Sequence, residues 1–205
     1  MLVLASTSPR RRALLEQMGF TFHVVAPEVD EQHQPGETPA AYVARLAVAK
    51  ARAGLALWTG RQSGGAQANA YNPVVLGADT AVVLDNEILG KPCGQTQGTE
   101  VLLQLSGRAH EVMTAVAACN GAQWQSIVCT ARVHFRRIEA WEARAYAATG
   151  EGMDKAGSYG IQGIGGIFAE RVEGSYSAVV GLPVAQTEML LRKLNVDTWS
   201  MRIHG

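Results

Sequence analysis

Twice within the first forty residues a hydroxyl side chain stands directly before a proline, at Ser8-Pro9 and at Thr38-Pro39. Such a pair opens a helix: the hydroxyl residue caps the free N–H groups of the first turn, and proline follows without an N–H of its own. Each opening comes after a short apolar run of strand length, Leu2 to Ala5 and then Thr21 to Ala26. A chain that alternates strand and helix from its first residue is steered towards an α/β layout. The first helix reaches about Met18, with Gly19 as its stop. The second carries Tyr42, Val43, Leu46, Ala47 and Ala53 as a helical apolar stripe and ends near Trp58.

Residues 59 to 73 (TGRQSGGAQANAYNP) are rich in Gly, Asn, Gln and Ala without periodicity and read as a mobile surface loop. PVVLGADTAVVLDNEILGKP then gives two strand-like runs turning at Asp85-Asn86, followed by a short helix over about 96 to 105. HEVMTAVAAC and WQSIVCTARVHFRRI, joined through Asn120-Gly121, read as a long antiparallel hairpin. EAWEARAYAAT is a helix, GSYGIQGIGGIFAERVEG reads as a strand pair, and Pro183 opens a last helix to about Leu194. Strands interleaved with helices plus a hairpin predict a mixed central sheet with flanking helices. At 205 residues the chain has the length of one such domain, residues 1–205, with a bilobed form left open.

Composition removes several classes. No apolar stretch approaches the roughly 18 to 20 residues that span a bilayer, and the basic residues of MLVLASTSPRRR follow the apolar run instead of preceding it, the reverse of a secretory signal. Eighteen basic and eighteen acidic residues cancel, so no global field favours a long nucleic acid or an anionic membrane; any anion site is local. Cys93, Cys119 and Cys129 have no CxxC spacing and suit reduced thiols in a cytoplasmic protein. The five histidines lack zinc-ligand spacing, and neither a GxSxG elbow nor a GxxxxGK[ST] loop occurs.

Arg10, Arg11 and Arg12 stand in the opening turn of a helix, where the macrodipole is already positive and stability alone would favour acids. Strand, Ser-Thr-Ser turn and helix N-terminus make an anion site to which three guanidiniums would add charge-assisted bonds; a solvated basic patch is the alternative. Asp79 ends an apolar strand in LGADT, where open α/β sheets place their ligands, and a carboxylate there can bind a cation or activate water. Its alternative is a strand-end cap. Glu31, in the acidic stretch PEVDEQHQPGE, offers a second oxygen ligand for Mg²⁺. Lys50 and Lys91 are solvated by default, but LGKP sets Lys91 just past the hairpin that begins with Asp79, so one cleft could hold both charges. Phosphoryl transfer asks for such positioning and charge neutralisation. GIQGIGG is no dinucleotide fingerprint; it suits a close backbone approach to a ligand, with the Gln162 amide available to a base edge, or a glycine turn between strands.

LASTSPRRR, EQHQPGETPAAYVARLAVAKA, LGADTAVVLDNEILGKP, LSGRAHEVMTAV, DKAGSYGIQGIGG and YSAVVGLP, in that order from residue 2 to about 190, resemble the Maf family. The resemblance implies a bilobed α/β fold related to that of inosine triphosphate pyrophosphatases, with the nucleotide in a cleft between lobes and a divalent metal, Mg²⁺ or Mn²⁺, at the phosphates. It implies hydrolysis of a nucleoside triphosphate to the monophosphate and pyrophosphate. By motif, Ser6 and Arg11 fall on phosphate-side positions, and Glu31, Lys50 and Lys91 on the charged catalytic ring. Asp79 falls on the proton-acceptor position, with Asp79 and Glu31 the candidate metal ligands on the residue reading above, while Arg10, Thr80 and Gln162 fall on specificity positions. Members selective for 7-methyl-GTP look like SPWRR and carry an acidic residue near the glutamine; SPRRR and GIQG resemble the dTTP/UTP group. A 7-methyl-GTP or modified-nucleotide pyrophosphatase and a non-catalytic nucleotide-binding regulator of septum formation are the rival readings. A homodimer is left open.

Overall fold

The computed structural model describes residues 1–62 and 73–203. Seven strands form one mixed sheet: β1 (Leu2–Ala5), β2 (Phe22–Val25), β3 (Val74–Leu84), β4 (Glu87–Leu89), β5 (Ala109–Cys119), β6 (Trp124–Phe135) and β7 (Ala169–Glu173). The order is β2-β1-β3-β5-β6-β7, with β4 on β3; β1 runs parallel to β2 and β3, while β3–β4 and β6–β7 are antiparallel. The helices are α1 (Pro9–Gln17), α2 (Pro39–Gln62), α3 (Gln95–Leu105), α4 (Ala140–Ala148), α5 (Tyr176–Val180), α6 (Val184–Lys193) and α7 (Thr198–Ile203). None of the described helices is long and apolar enough to cross a membrane.

The chain divides into two compact units. The first comprises Met1–Asp79, Thr114–Val128 and Gly181–Gly205. Its β1 is buried at every residue, as expected of a parallel strand covered on both faces. Val3, Ala5, Val25, Val75 and Cys119 form a core cluster with Trp58 of α2. Helix and strands approach unusually closely there, because the contact is made through glycines. A Cβ on Gly77 of β3 would lie 2.5 Å from the Ala51 backbone nitrogen and would also collide with the Ala47 carbonyl oxygen; one on Gly54 of α2 would lie 2.5 Å from the Ala5 Cβ.

The second unit comprises Thr80–Met113 and Cys129–Val180. Its core joins Leu102, Leu105, Val133, Phe135, Tyr146, Tyr159 and Phe168. Inside it His110 Nε2 and the Tyr159 hydroxyl share a 2.8 Å hydrogen bond, and burial pushes the imidazole down to about 4, leaving it neutral at physiological pH. α4 opens with a capping box in which Glu139 and Glu142 each accept the other's backbone N–H.

Several expectations are revised. Helix α2 continues through Thr59–Gln62 into the stretch read as loop; the remainder of that stretch, 63–72, lies outside the described residues. The glycine-rich segment is not a strand pair. Residues 156–158 and 164–168 are 3₁₀ turns, and extended pairing begins only at Ala169, because successive tight turns at Gly160 and Gly163 use the backbone groups a strand would need. Helices α5 and α7 were not foreseen. Gly77→Ala is expected to lower unfolding stability by about 1–3 kcal/mol, the cost of overpacking against a backbone that cannot give way. The check is a lower denaturant midpoint at unchanged slope; a midpoint equal to wild type would refute the close-approach account.

Candidate active site

In the first unit, β1 delivers the chain to Ser6, which is buried. Its Oγ accepts the Ser8 N–H and an Arg11 Nη1–H, both at 3.2 Å, while Arg11 Nε donates to the Gly181 carbonyl at 2.9 Å. Two faces of the guanidinium are thus tied to the scaffold, which fixes where its charge sits. Ser8 occupies the cap position of α1 with extended backbone but makes no side-chain cap bond. Arg12 departs from the expected trio: it is exposed and bonds Glu16 at 3.0 Å, an i,i+4 helix pair. Arg10 and Arg11 remain near enough that Arg10 weakens the Arg11 proton affinity.

Lys50 is the hub of the same unit. Its Nζ lies 2.6 Å from Asp79 Oδ1 and 2.7 Å from Glu31 Oε1. Asp79 arrives on β3 and Lys50 on α2, but Glu31 lies in irregular chain and is brought in by α2. Tyr42 donates its hydroxyl hydrogen to the Glu31 carbonyl at 3.0 Å, and Arg45 donates to the Gln32 carbonyl at 2.9 Å. Arg45 also grips Glu37 with two bonds of 2.7 and 2.8 Å, holding that carboxyl down to about 2. Sequence periodicity assigns Tyr42 only to an apolar stripe and does not single out Arg45. A basic residue on a helix facing an acidic loop of eight residues' separation was the available signal.

Asp79 is buried, and burial raises its carboxyl above the ordinary range; Lys50 and Arg11 pull the other way, and Glu31 adds to the rise. Burial likewise lowers the Arg11 guanidinium from its ordinary value, against the attraction of Asp79. A carboxylate whose proton affinity is raised is a better acceptor of a proton from water than a surface aspartate.

The second unit holds Thr80, Lys91 and Gln162. Lys91 is exposed just past a hairpin whose turn residues Asp85 and Asn86 both take left-handed φ (50° and 67°), as a two-residue turn between twisted strands requires. The Gly90 carbonyl before it accepts the Gly157 N–H, tying its segment to the glycine-rich one. A 3.1 Å bond from the Gly163 N–H to the Gly160 carbonyl puts Ile161 and Gln162 at the centre of a β-turn, with Gln162 exposed.

The pattern of the Maf-like protein family matches residues 1–194. The chain belongs to the Maf family. A Shewanella oneidensis protein named dTTP/UTP pyrophosphatase is 50% identical over 200 residues, covering 95% of this chain and 98% of its own. One of the same name from Vibrio vulnificus is 48% identical over 192 residues, covering 94% and 97%. Among solved structures, the Ham1 protein of Staphylococcus aureus matches over 65% of this chain and 71% of its own, at 14% identity and a TM-score of 0.37, a likeness too slight to assign fold or site.

For this Maf member a divalent cation can be tested against the donors present. Among the described residues no three His, Cys, Asp or Glu side chains cluster as a ready metal cage. Glu31 and Asp79 nonetheless meet at one nitrogen, and each carboxylate has a second oxygen. Two carboxylates completed by water and phosphate oxygens suit Mg²⁺, which is seldom caged by protein alone. The residues fit the ion.

The raised Asp79 carboxyl sets the direction of a pH test. If Asp79 serves as the base it works only when deprotonated, so kcat/KM is expected to rise as pH climbs through its folded-state value, with that acidic limb above the ordinary 3.8. Asp79→Asn should abolish the limb and cost at least about a hundredfold in turnover, with circular dichroism unchanged. A limb at or below the ordinary value, or near wild-type turnover in the variant, would contradict the assignment.

Proposed function

We propose that this protein hydrolyses dTTP and UTP to the monophosphate and pyrophosphate. The observation that carries the reading is Asp79: a buried carboxylate of raised proton affinity, bonded to Lys50 beside Glu31, in a chain half identical to proteins named dTTP/UTP pyrophosphatases. Asp79 takes a proton from water as the water oxygen bonds to the α-phosphorus. The bond from that phosphorus to the bridging oxygen breaks, and pyrophosphate leaves. Ser6, Arg11, Lys50 and Lys91 meet the charge on the phosphates, so the protein contributes position and electrostatics and forms no covalent intermediate. Held by Glu31 and Asp79, Mg²⁺ or Mn²⁺ would supply further neutralisation of the triphosphate.

Selectivity rests with Arg10, Thr80 and Gln162. The Gln162 amide carries a donor and an acceptor, matching the carbonyl and N3–H of thymine or uracil; cytosine offers the opposite pattern on that edge. SPRRR and GIQG disfavour a 7-methyl-GTP enzyme. A non-catalytic regulator of septum formation would have no use for a carboxylate made more basic by burial. The reaction belongs to the cytosol, where a reducing environment keeps thiols such as Cys93, Cys119 and Cys129 free.

The test is a panel of dTTP, UTP, CTP and 7-methyl-GTP with Mg²⁺ or Mn²⁺, with and without EDTA, and with products separated. dTMP and UMP should appear with pyrophosphate, at kcat/KM at least about tenfold above that for 7-methyl-GTP. EDTA should stop turnover and excess metal restore it. Preference for 7-methyl-GTP, release of orthophosphate, or full activity under chelation would overturn the reading.

A further inference from the structure

The turn that carries Gln162 hangs on a half-buried acid and a buried phenol that the reaction itself does not use. The Glu151 carboxylate accepts three hydrogen bonds: from the Tyr146 hydroxyl at 2.6 Å, from the Ile164 N–H at 2.8 Å and from the Gly165 N–H at 2.9 Å. The Tyr146 oxygen in turn accepts the Gly160 N–H at 3.0 Å. Both ends of the segment 160–165 are therefore fastened to one pair of side chains, and Gln162 stands on the turn between the fastenings. Phe168 meets the Tyr146 ring edge-on at 5.3 Å and helps fix its orientation.

The glycines of this segment follow from the same arrangement. A Cβ on Gly163 would overlap the Glu151 carboxylate, and one on Gly165 would lie 2.8 Å from the Tyr146 oxygen. The backbone thus approaches this pair closely at Gly163 and Gly165, while a Cβ on Gly166 would instead lie 2.7 Å from the Ile161 carbonyl oxygen. Burial and the neighbouring carboxylate both raise the Tyr146 phenol, so it stays a donor; burial works against the Glu151 charge, but its hydrogen bonds outweigh it and lower that carboxyl.

We propose that Glu151, with Tyr146 behind it, is a positioning residue for base selectivity: it locks the Gly160–Gly165 turn so that the Gln162 amide presents one fixed donor and acceptor to the pyrimidine. The inference rests on the reading of Gln162 given above. An unanchored turn would let the amide rotate and lose discrimination against cytosine, because an amide flipped end for end suits the opposite pattern. Only a carboxylate serves: it is acceptor-only, and all three groups aimed at it are donors. A glutamine of the same shape would set an NH₂ against at least one of them.

The experiment measures kcat and KM for dTTP, UTP, CTP and 7-methyl-GTP on wild type, Glu151→Gln, Tyr146→Phe, Gln162→Ala and the Glu151→Gln/Gln162→Ala double variant. Base contacts made equally in ground and transition states act on KM, so Glu151→Gln should raise KM for dTTP and UTP about tenfold with kcat within about twofold. The preference over CTP should shrink, and Tyr146→Phe should move the same way by less. The double variant should be no worse than Gln162→Ala alone, since both substitutions remove one interaction. A merely structural role would lower kcat for every nucleotide at unchanged KM; that result, or additive effects in the double variant, overturns the proposal. Wild-type turnover of dTTP and UTP, and its weakening in Gln162→Ala, read the functional assignment separately: if either fails, the role of Gln162 falls and this inference with it, whereas their success with an unmoved Glu151→Gln defeats this inference alone.

Discussion

Helix α2 packs on β1 and β3 through two glycines: Gly77 of the strand, which meets the helix backbone directly, and Gly54 of the helix, which meets the Ala5 side chain. The candidate reacting groups take their positions from that contact. Residues two apart on a strand face the same side, so Asp79 shares the face of Gly77 that meets the helix. Residues four apart on a helix are neighbours on one face, so Lys50 lies one turn from Gly54 on the side that meets the sheet. The 2.6 Å bond from Lys50 to Asp79 is the outcome of these two spacings. Tyr42 and Arg45, on the same helix, then recruit the irregular segment that carries Glu31. One helix thereby assembles a cluster from three separate stretches of chain.

The electrostatics of the cluster are a contest that burial wins at Asp79. Withdrawing a carboxylate from water costs several kcal/mol, and a close cation returns part of it. Lys50 and Arg11 are both there, yet the carboxyl still sits above its ordinary range. In linkage terms the folded state favours the protonated form, so Asp79 contributes most to stability at low pH and that contribution is lost as pH rises through the folded value. The anion that the proposed base needs near neutrality is thus held against the interest of the fold, a cost natural proteins tend to bear at functional sites.

Local chemistry was legible in the sequence. The Ser8-Pro9 and Thr38-Pro39 openings, the Asp85-Asn86 turn and the Asn120-Gly121 connection all form where the residues place them, because each is decided by two or three adjacent residues. The candidate residues in the first unit, Ser6, Arg11, Glu31, Lys50 and Asp79, could be picked out one by one, but their contacts could not. What escaped was set by distant partners. The glycine-rich segment looks extended because its glycines have no side chains to object, and the Glu151 and Tyr146 side chains that fold it stand 13 or 14 residues before the backbone groups they hold. Thr59–Gln62 looked like loop on composition, yet the preceding turns of α2 carry the helix on. Arg12 could have been set aside from sequence alone, since Glu16 stands four residues on, where a helix pairs charges.

The carboxylate–lysine cluster of the first unit is proposed to deliver water to the α-phosphorus. A single turnover of dTTP in ¹⁸O-enriched water, with both products analysed by mass, tests it most directly. Attack at the α-phosphorus puts one ¹⁸O atom in dTMP and none in pyrophosphate; label in pyrophosphate, or release of dTDP with labelled orthophosphate, would contradict that role of the cluster.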